Sequence, residues 1–331
     1  MLGSVHDADD ALQETLLRAW RGLAGLRDAA SARSWLYTIA TNVCLTELRR
    51  RRKRMLPRDY GPAAEPHTPP GAPVIEATWL EPYPDEGVGL PSGRAAPETR
   101  YEQQESVELA FVAAIQHLAA KQRAVLILRE VLGFSAQEAA AILQTSVASV
   151  NSALQRARAV VRERVPAPTQ QATLRALGDR SVREIVERYV GAWERCDVDA
   201  FASLLVEDAT FAMPPLSTWY APKHSIVAWA RESSMSGAWR WRTRPARANA
   251  QPALGFYVWD ETAGAYLPFA LNVLSLRDGR VSDVTAFIVR SVGTTDPEVF
   301  ARFPDQPMDP GRVSGAFGRF GLPDHLAASG Q

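Results

Sequence analysis

The chain has 331 residues, 37 Lys+Arg against 37 Asp+Glu, and an apolar fraction of 46%. That length predicts about two domains of ~150 residues, and that apolar fraction excludes wholesale disorder. No run approaches the ~20 apolar residues of a membrane span, no secretory signal is read ahead of the first helix, and Cys44 and Cys196 cannot make a disulfide framework or a structural zinc site. A reducing, cytoplasmic setting is therefore expected, with no membrane partner.

The zero net charge is a cancellation. Residues 1–56 carry 10 basic and 6 acidic residues, residues 57–103 carry 3 and 8, and residues 104–166 carry 7 and 5. A neutral total therefore does not exclude a nucleic-acid partner, because the basic excess lies on two separate blocks.

In the first block, Asp7-Ala-Asp-Asp10 places carboxylates where a helix N-terminus favours them. Leu12, Leu16, Leu17 and Trp20 follow at helical spacing and predict one apolar face, ended by Gly22. A second helix is expected from Ser31 or Ala32, with Trp35, Leu36, Ile39, Ala40, Val43 and Leu48 on its apolar side. It ends in the cation run Arg49-Arg-Arg-Arg-Lys-Arg54. Such a run suits a solvated helix end and equally suits several phosphates.

Residues 57–103 hold 10 of the 23 prolines and 5 glycines, so they read as an acidic linker with no compact fold beyond local structure around Trp79 and Tyr83. Its counter-charge is placed to shield the basic faces on either side. Residues 104–166 then return to helical text. Ser135-Ala-Gln-Glu138 has the capping-box pattern, and Gln144-Thr-Ser146 is a turn that caps a longer helix. That helix carries Val147, Val150, Leu154, Ala157 and Val161 on one face and Ser149, Asn151, Ser152, Gln155, Arg156, Arg158 and Arg162 on the others. A short helix, a tight turn and a polar, cationic second helix form helix-turn-helix text; a generic antiparallel helix pair is the plainer alternative. Asn, Gln and Arg are the side chains that read base edges in the major groove.

Together the blocks resemble the extracytoplasmic-function sigma factors of the sigma-70 superfamily. DADDALQETLLRAWRGL is similar to region 2.2, SARSWLYTIATNVCLTELRRRRKR to regions 2.3–2.4, and the segment from Leu118 to Arg164 to region 4. The resemblance implies core RNA polymerase (β′ clamp and β flap) and promoter DNA as partners. It assigns polymerase docking to Asp10, Gln13, Glu14 and Trp20. It assigns −10 and backbone contacts to Trp35, Tyr37, Asn42, Arg49, Arg50, Arg51 and Arg52, and −35 reading to Ser149, Asn151, Ser152, Gln155, Arg156 and Arg158. In the family a further helix or two precede the first motif, so region 2 is expected to be incomplete at its N-terminus here.

Beyond the second block the text changes to a helix bearing Val182, Ile185, Tyr189 and Trp193, a second helix near Val198–Leu205, a helix over His224–Ser233, and aromatic-rich strands. Asp278-Gly279 is a hairpin signal. Helices followed by a curved antiparallel sheet predict an α+β domain over residues 179–303, followed by a Gly/Pro-rich tail over 304–331. This segment resembles the SnoaL-like, cone-shaped family, which implies a modulating role when joined to a sigma factor. The fold expected is thus multidomain: two all-α domains, region 2 over residues 1–56 and region 4 over 104–166, plus the cone.

A cone encloses a pocket, and Phe211, Met213, Trp219, Tyr220, Trp229 and Asn272 are candidates for its lining and for a small-molecule ligand. For each aromatic, ordinary core is the more frequent role. His224, Asp208, Asp260, Glu261 and Asp283 fall at helix starts, turns or strand ends and form no acid–base constellation, so no catalytic residue, cofactor or metal is expected. The expected function is that of a sigma factor; the alternatives are a SnoaL-type enzyme and a small-molecule-sensing transcription regulator.

Overall fold

Polar caps written into the sequence start most of the long helices. In this computed structural model α1 is Val5–Gly22, with the Ser4 hydroxyl accepting from Asp7 N–H. The structure describes residues 1–26, 28, 31–50, 52–71, 73–74, 79–85, 105–289 and 316–328. They fall into two units, Met1–Met55 with Gly93–Ala167 and Leu56–Ser92 with Pro168–Gln331.

In the first unit α1 pairs with α2 (Ala32–Arg50) over a small core of Leu2, Ala11 and Val43, flanked by Ile39, Cys44 and Leu48. Burial raises the Cys44 thiol pKa. The helical α2 stops at Arg50, so the cation run expected on the helix continues beyond it as irregular chain at 52–54. Arg54 turns back to Asp7 in a largely buried pair, Nη2–Oδ2 2.7 Å.

Helices α4 (Leu109–Ile115), α5 (Ala120–Leu126, continued by a π-helical turn Ile127–Val131), α6 (Ala136–Ile142) and α7 (Val147–Arg164) form the second helical block; α3 is the single turn Pro57–Tyr60 in the other unit. Phe134, Ala139, Ile142, Val150, Leu154 and Ala157 fill its core. The capping box forms: Glu138 N–H donates to Ser135 Oγ, and Ser135 N–H donates to the Glu138 carboxylate at 2.7 Å. The Ser135 backbone N–H, and after it the Ser135 hydroxyl, hold the Glu138 carboxyl below its usual pKa.

The second unit packs α8 (Gln170–Glu194, broken at Gly178, φ 74°), α9 (Val198–Leu204) and α10 (Lys223–Glu232) on a sheet. Its strands are β1 (Leu205–Ala212), β2 (Trp219–Tyr220), β3 (Trp241–Ala248), β4 (Gln251–Asp260), β5 (Ala265–Arg277) and β6 (Arg280–Ile288), in the order β2-β1-β6-β5-β4-β3. The sheet is mixed, not antiparallel throughout as expected: β1 runs parallel to β6, Phe211 opposite Val284. A parallel pair needs a long crossover, and here the whole of β2, α10 and β3–β5 supplies it. The α+β cone architecture stands.

The stretch read as a linker is packed over much of its described length. Leu80 is 1% exposed, as is Leu56 just ahead of the stretch. Ala64 N–H donates to the Trp219 carbonyl, and Val74 N–H to that of Pro215. The β3–β4 turn holds both Asn249 and Ala250 at positive φ, 57° and 56°. That conformation costs a residue with a Cβ about 1–2 kcal/mol. Linker residues secure it: Tyr83 N–H donates to Asn249 Oδ1, Asn249 N–H to the Tyr83 carbonyl, and Ala250 N–H to Asp85 Oδ1 at 2.7 Å. Asp85 also pairs with Arg247, so its charge is engaged inside this unit. Of the C-terminal tail, Phe317 is fully buried against Tyr257, and Leu326 bridges to Tyr266.

Candidate nucleic-acid and partner interfaces

Three surfaces of the first unit carry the residues singled out by sequence. On α7, Val150, Ala153, Leu154 and Ala157 are buried and fix which face turns inward. Ser149, Asn151, Ser152, Gln155, Arg156 and Arg158 are exposed on the remaining surface. Arg156 donates to Ser152 Oγ one turn earlier, at 2.8 Å, which aligns the guanidinium along the helix. Arg158 lies against Glu130 at 2.5 Å. Val147, expected on the apolar face, is 39% exposed at the helix start.

On α2, Asn42, Arg49 and Arg50 are exposed, as is Arg52 beyond its end; Arg51 lies outside the described residues. Neighbouring Lys53 is drawn to His117, Nζ–Nδ1 2.7 Å, and Arg164 at the end of α7 approaches the other ring nitrogen at 3.1 Å. Trp35 and Tyr37 are half-buried. Trp35 packs on Gly22, where a Cβ would lie 3.2 Å from the indole, so a larger residue at position 22 displaces the ring. Tyr37 packs against the core of the second helical block.

On α1 the apolar row faces outward. Leu12 and Leu16 are each 56% exposed, Leu17 51% and Trp20 78%, while Ala11, Thr15 and Ala19 turn inward. Asp10 and Gln13 are exposed beside the row; Glu14 is held by Arg18 at 2.6 Å. Periodicity reports an apolar stripe without saying what covers it.

Sequence reasoning passed over Arg123 and Arg33. Arg123 is 4% exposed and donates to Gln116 Oε1 at 2.7 Å, to the Gln116 carbonyl and to the Met1 carbonyl at 2.6 Å. Burial pulls its pKa down to about 10. It ties the α4–α5 turn to the chain start, and a lone Arg in a helical segment gives no signal of that. Arg33, at the start of α2, donates to the Leu132 carbonyl across 99 residues of sequence.

The cone's candidate lining residues pack as core. Phe211 and Trp229 meet at 4.8 Å, Tyr220 stacks on Trp229 at 5.2 Å, and Phe211, Met213, Tyr220 and Trp229 all belong to one buried cluster with Trp193 and Trp241. Trp219 donates to the Gly61 carbonyl and Tyr220 to that of Thr68, so both hold the linker. Asn272 Nδ2 reaches the buried Tyr189 hydroxyl at 3.4 Å; burial raises that phenol's pKa. The candidate acids are engaged at the surface. Asp208 pairs with Arg277, which lowers its carboxyl pKa, Glu261 pairs with Arg240, Asp260 caps a turn, and Asp283 accepts from Thr210 and Thr285. His224 is exposed. Among the described residues no group of three or more His, Cys, Asp or Glu is placed to hold a metal, and no helix is long and apolar enough to cross a membrane.

Residues 1–54 match the family model for sigma-70 region 2, and residues 108–160 that for sigma-70 region 4. The chain is 40% identical over 292 residues to the ECF RNA polymerase sigma factor SigG of Mycobacterium tuberculosis, covering 87% of this chain and 76% of that protein. It is 32% identical over 154 residues to SigM of the same species, covering 46% and 62%. The crystal structure of the M. tuberculosis extracytoplasmic function sigma factor SigJ superposes with a TM-score of 0.52 at 20% identity, covering 86% of this chain and 89% of that one.

Proposed function

Because the chain belongs to the ECF RNA polymerase sigma factors, directing core polymerase to promoter DNA, we propose how its surfaces divide that work. The exposed face of α7 reads the −35 element, with Arg156 and Asn151 or Gln155 at base edges and Ser149, Ser152 and Arg158 toward phosphates. The α2 helix and its cationic end serve the −10 region. Arg49 to Arg52 and Asn42 hold the backbone, and Tyr37 and Trp35 offer rings to unstacked bases. The outward row of α1, Leu12, Leu16 and Trp20 with Asp10, Gln13 and Glu14 beside it, docks on the polymerase clamp. The observation that carries this reading is the helix-turn-helix geometry itself. Its inner face is closed by the capped α6 and by the α7 core, and the polar, cationic side of α7 is left outside.

The cone domain acts on this activity through the linker, supported by the hydrogen bonds that join residues 61–85 to Trp219, Tyr220 and the β3–β4 turn. The protein acts in the cytoplasm with polymerase, and the cone carries no catalysis: its inward side chains are aromatic core and its carboxylates are tied at the surface.

The phosphate-holding role is tested by replacing Arg49, Arg50 and Arg52 with Gln and titrating promoter DNA against salt. The expected result is a uniform loss of affinity across sequences and a salt slope reduced by about one per residue removed. An unaltered slope removes these residues from the backbone contact.

A further inference from the structure

The neighbours Arg129 and Glu130 part company on the π-helical turn that ends α5. Arg129 turns inward, its Nε buried and its guanidinium donating to the Phe134 carbonyl. Glu130 stays outside and meets α7, where Arg158 Nε donates to its carboxylate at 2.5 Å. The turn sets this up, because Leu132 N–H reaches back five residues, to the Ile127 carbonyl, instead of four. Single π turns within α-helices recur at functional sites.

Two guanidiniums on the exposed side of α7 are thus anchored, and their anchors differ. Arg156 is held by a neutral hydroxyl on its own helix, Nη1 to Ser152 Oγ at 2.8 Å. Arg158 is held from another element by an acid. Both side chains of that pair are solvated, 49% exposed for Arg158 and 36% for Glu130, and a solvated ion pair adds little to folding stability. The bond uses Nε. Among the described residues neither Nη nitrogen of Arg158 has an acceptor, so the terminal edge of its fork stays open.

A loose arginine pairs with any phosphate in reach and raises affinity for every sequence. One held by a carboxylate gives up part of its charge to that partner and keeps a fixed direction, so it suits one phosphate in one register. Specificity is a difference between two affinities, and weakening the wrong contact raises it as surely as improving the right one. We infer that Glu130 is a positioning residue for −35 recognition, which aims the open edge of Arg158 at a single phosphate and lowers its attraction to all others. The inference rests on the phosphate role proposed for Arg158.

The test measures binding of the full chain, across a salt series, to a duplex enriched from a random pool by the wild-type chain and to its scrambled counterpart. Glu130→Ala is expected to lower the ratio of the two affinities by about fivefold, a coupling typical of touching residues. On the scrambled duplex its salt slope steepens by about one, since the freed guanidinium gains a phosphate. Arg158→Ala flattens the slope on the enriched duplex by about one, and adding Glu130→Ala to it changes nothing further. An unchanged ratio and slope in Glu130→Ala, whether or not that variant unfolds early in urea, overturns the positioning role while leaving Arg158 on DNA. A fall in the ratio that persists undiminished in the Arg158→Ala background is repulsion of DNA by the acid alone, and overturns it too. A silent Arg158→Ala removes that residue from DNA and overturns the −35 role proposed for it, together with this one.

Discussion

Trp20 and Trp193 sit at the same kind of place in the sequence, on the apolar stripe of a long amphipathic helix, yet they have opposite fates. Trp193 is 3% exposed and meets Tyr189, Phe201, Phe211, Trp241 and Phe256. Trp20 is 78% exposed, beside Leu16 and Leu17 on a helix whose small residues, Ala11, Thr15 and Ala19, face inward instead. The difference teaches where a partner is needed. The cone buries its aromatics within itself, whereas α1 turns an anchor-sized residue to the outside, where large aromatics dominate binding energy when covered.

That contrast breaks first under substitution. Trp193→Ala is expected to cost about 3–5 kcal/mol of stability in denaturant unfolding, because the surrounding rings cannot collapse into the void. Trp20→Ala is expected to leave stability within about 0.5 kcal/mol while weakening core polymerase binding by about 2 kcal/mol or more. A Trp20→Ala chain that melts early but binds polymerase normally would reverse the comparison. A smaller effect sharpens it at the helix-turn-helix. Ser135→Ala is expected to cost about 1 kcal/mol through the lost cap. Glu138 gives the same contact a pH signature. Its carboxyl is held below the ordinary value of 4.5 by the Ser135 hydrogen bonds, so its contribution is present above that pH and is lost as the pH falls through the lowered value. Acid titration of wild type and Glu138→Gln should therefore diverge above that pH and converge below it; parallel curves throughout would remove the charge from the cap.

The legible parts of the molecule were those governed by local rules. The Ser135–Glu138 box, the Ser146 cap, the apolar row of α7 from Val150 onward and the Asp278-Gly279 turn are written in adjacent residues, and the structure forms each of them. What stayed hidden depends on distant partners. The parallel pairing of β1 with β6 joins strands about seventy residues apart and is flanked by a strand of two residues. The docking of the Pro-rich stretch runs through backbone groups of Gly61, Thr68 and Tyr83 that any sequence possesses, so composition suggests a free linker where hydrogen bonding makes a strap. Periodicity gave α1 an apolar face but not its direction, and nothing near Tyr37 announces that Phe134 is its neighbour.

Promoter selection by the outer face of α7, as proposed above, is open to direct test. Run-off transcription with core RNA polymerase, comparing wild type with Arg156→Ala on a cognate promoter and on one with a scrambled −35 element, tests it most directly. Initiation is expected to depend on the chain, with Arg156→Ala losing about 1–3 kcal/mol of discrimination between the two templates while basal initiation on the scrambled one is unchanged. Equal discrimination by wild type and variant would contradict it.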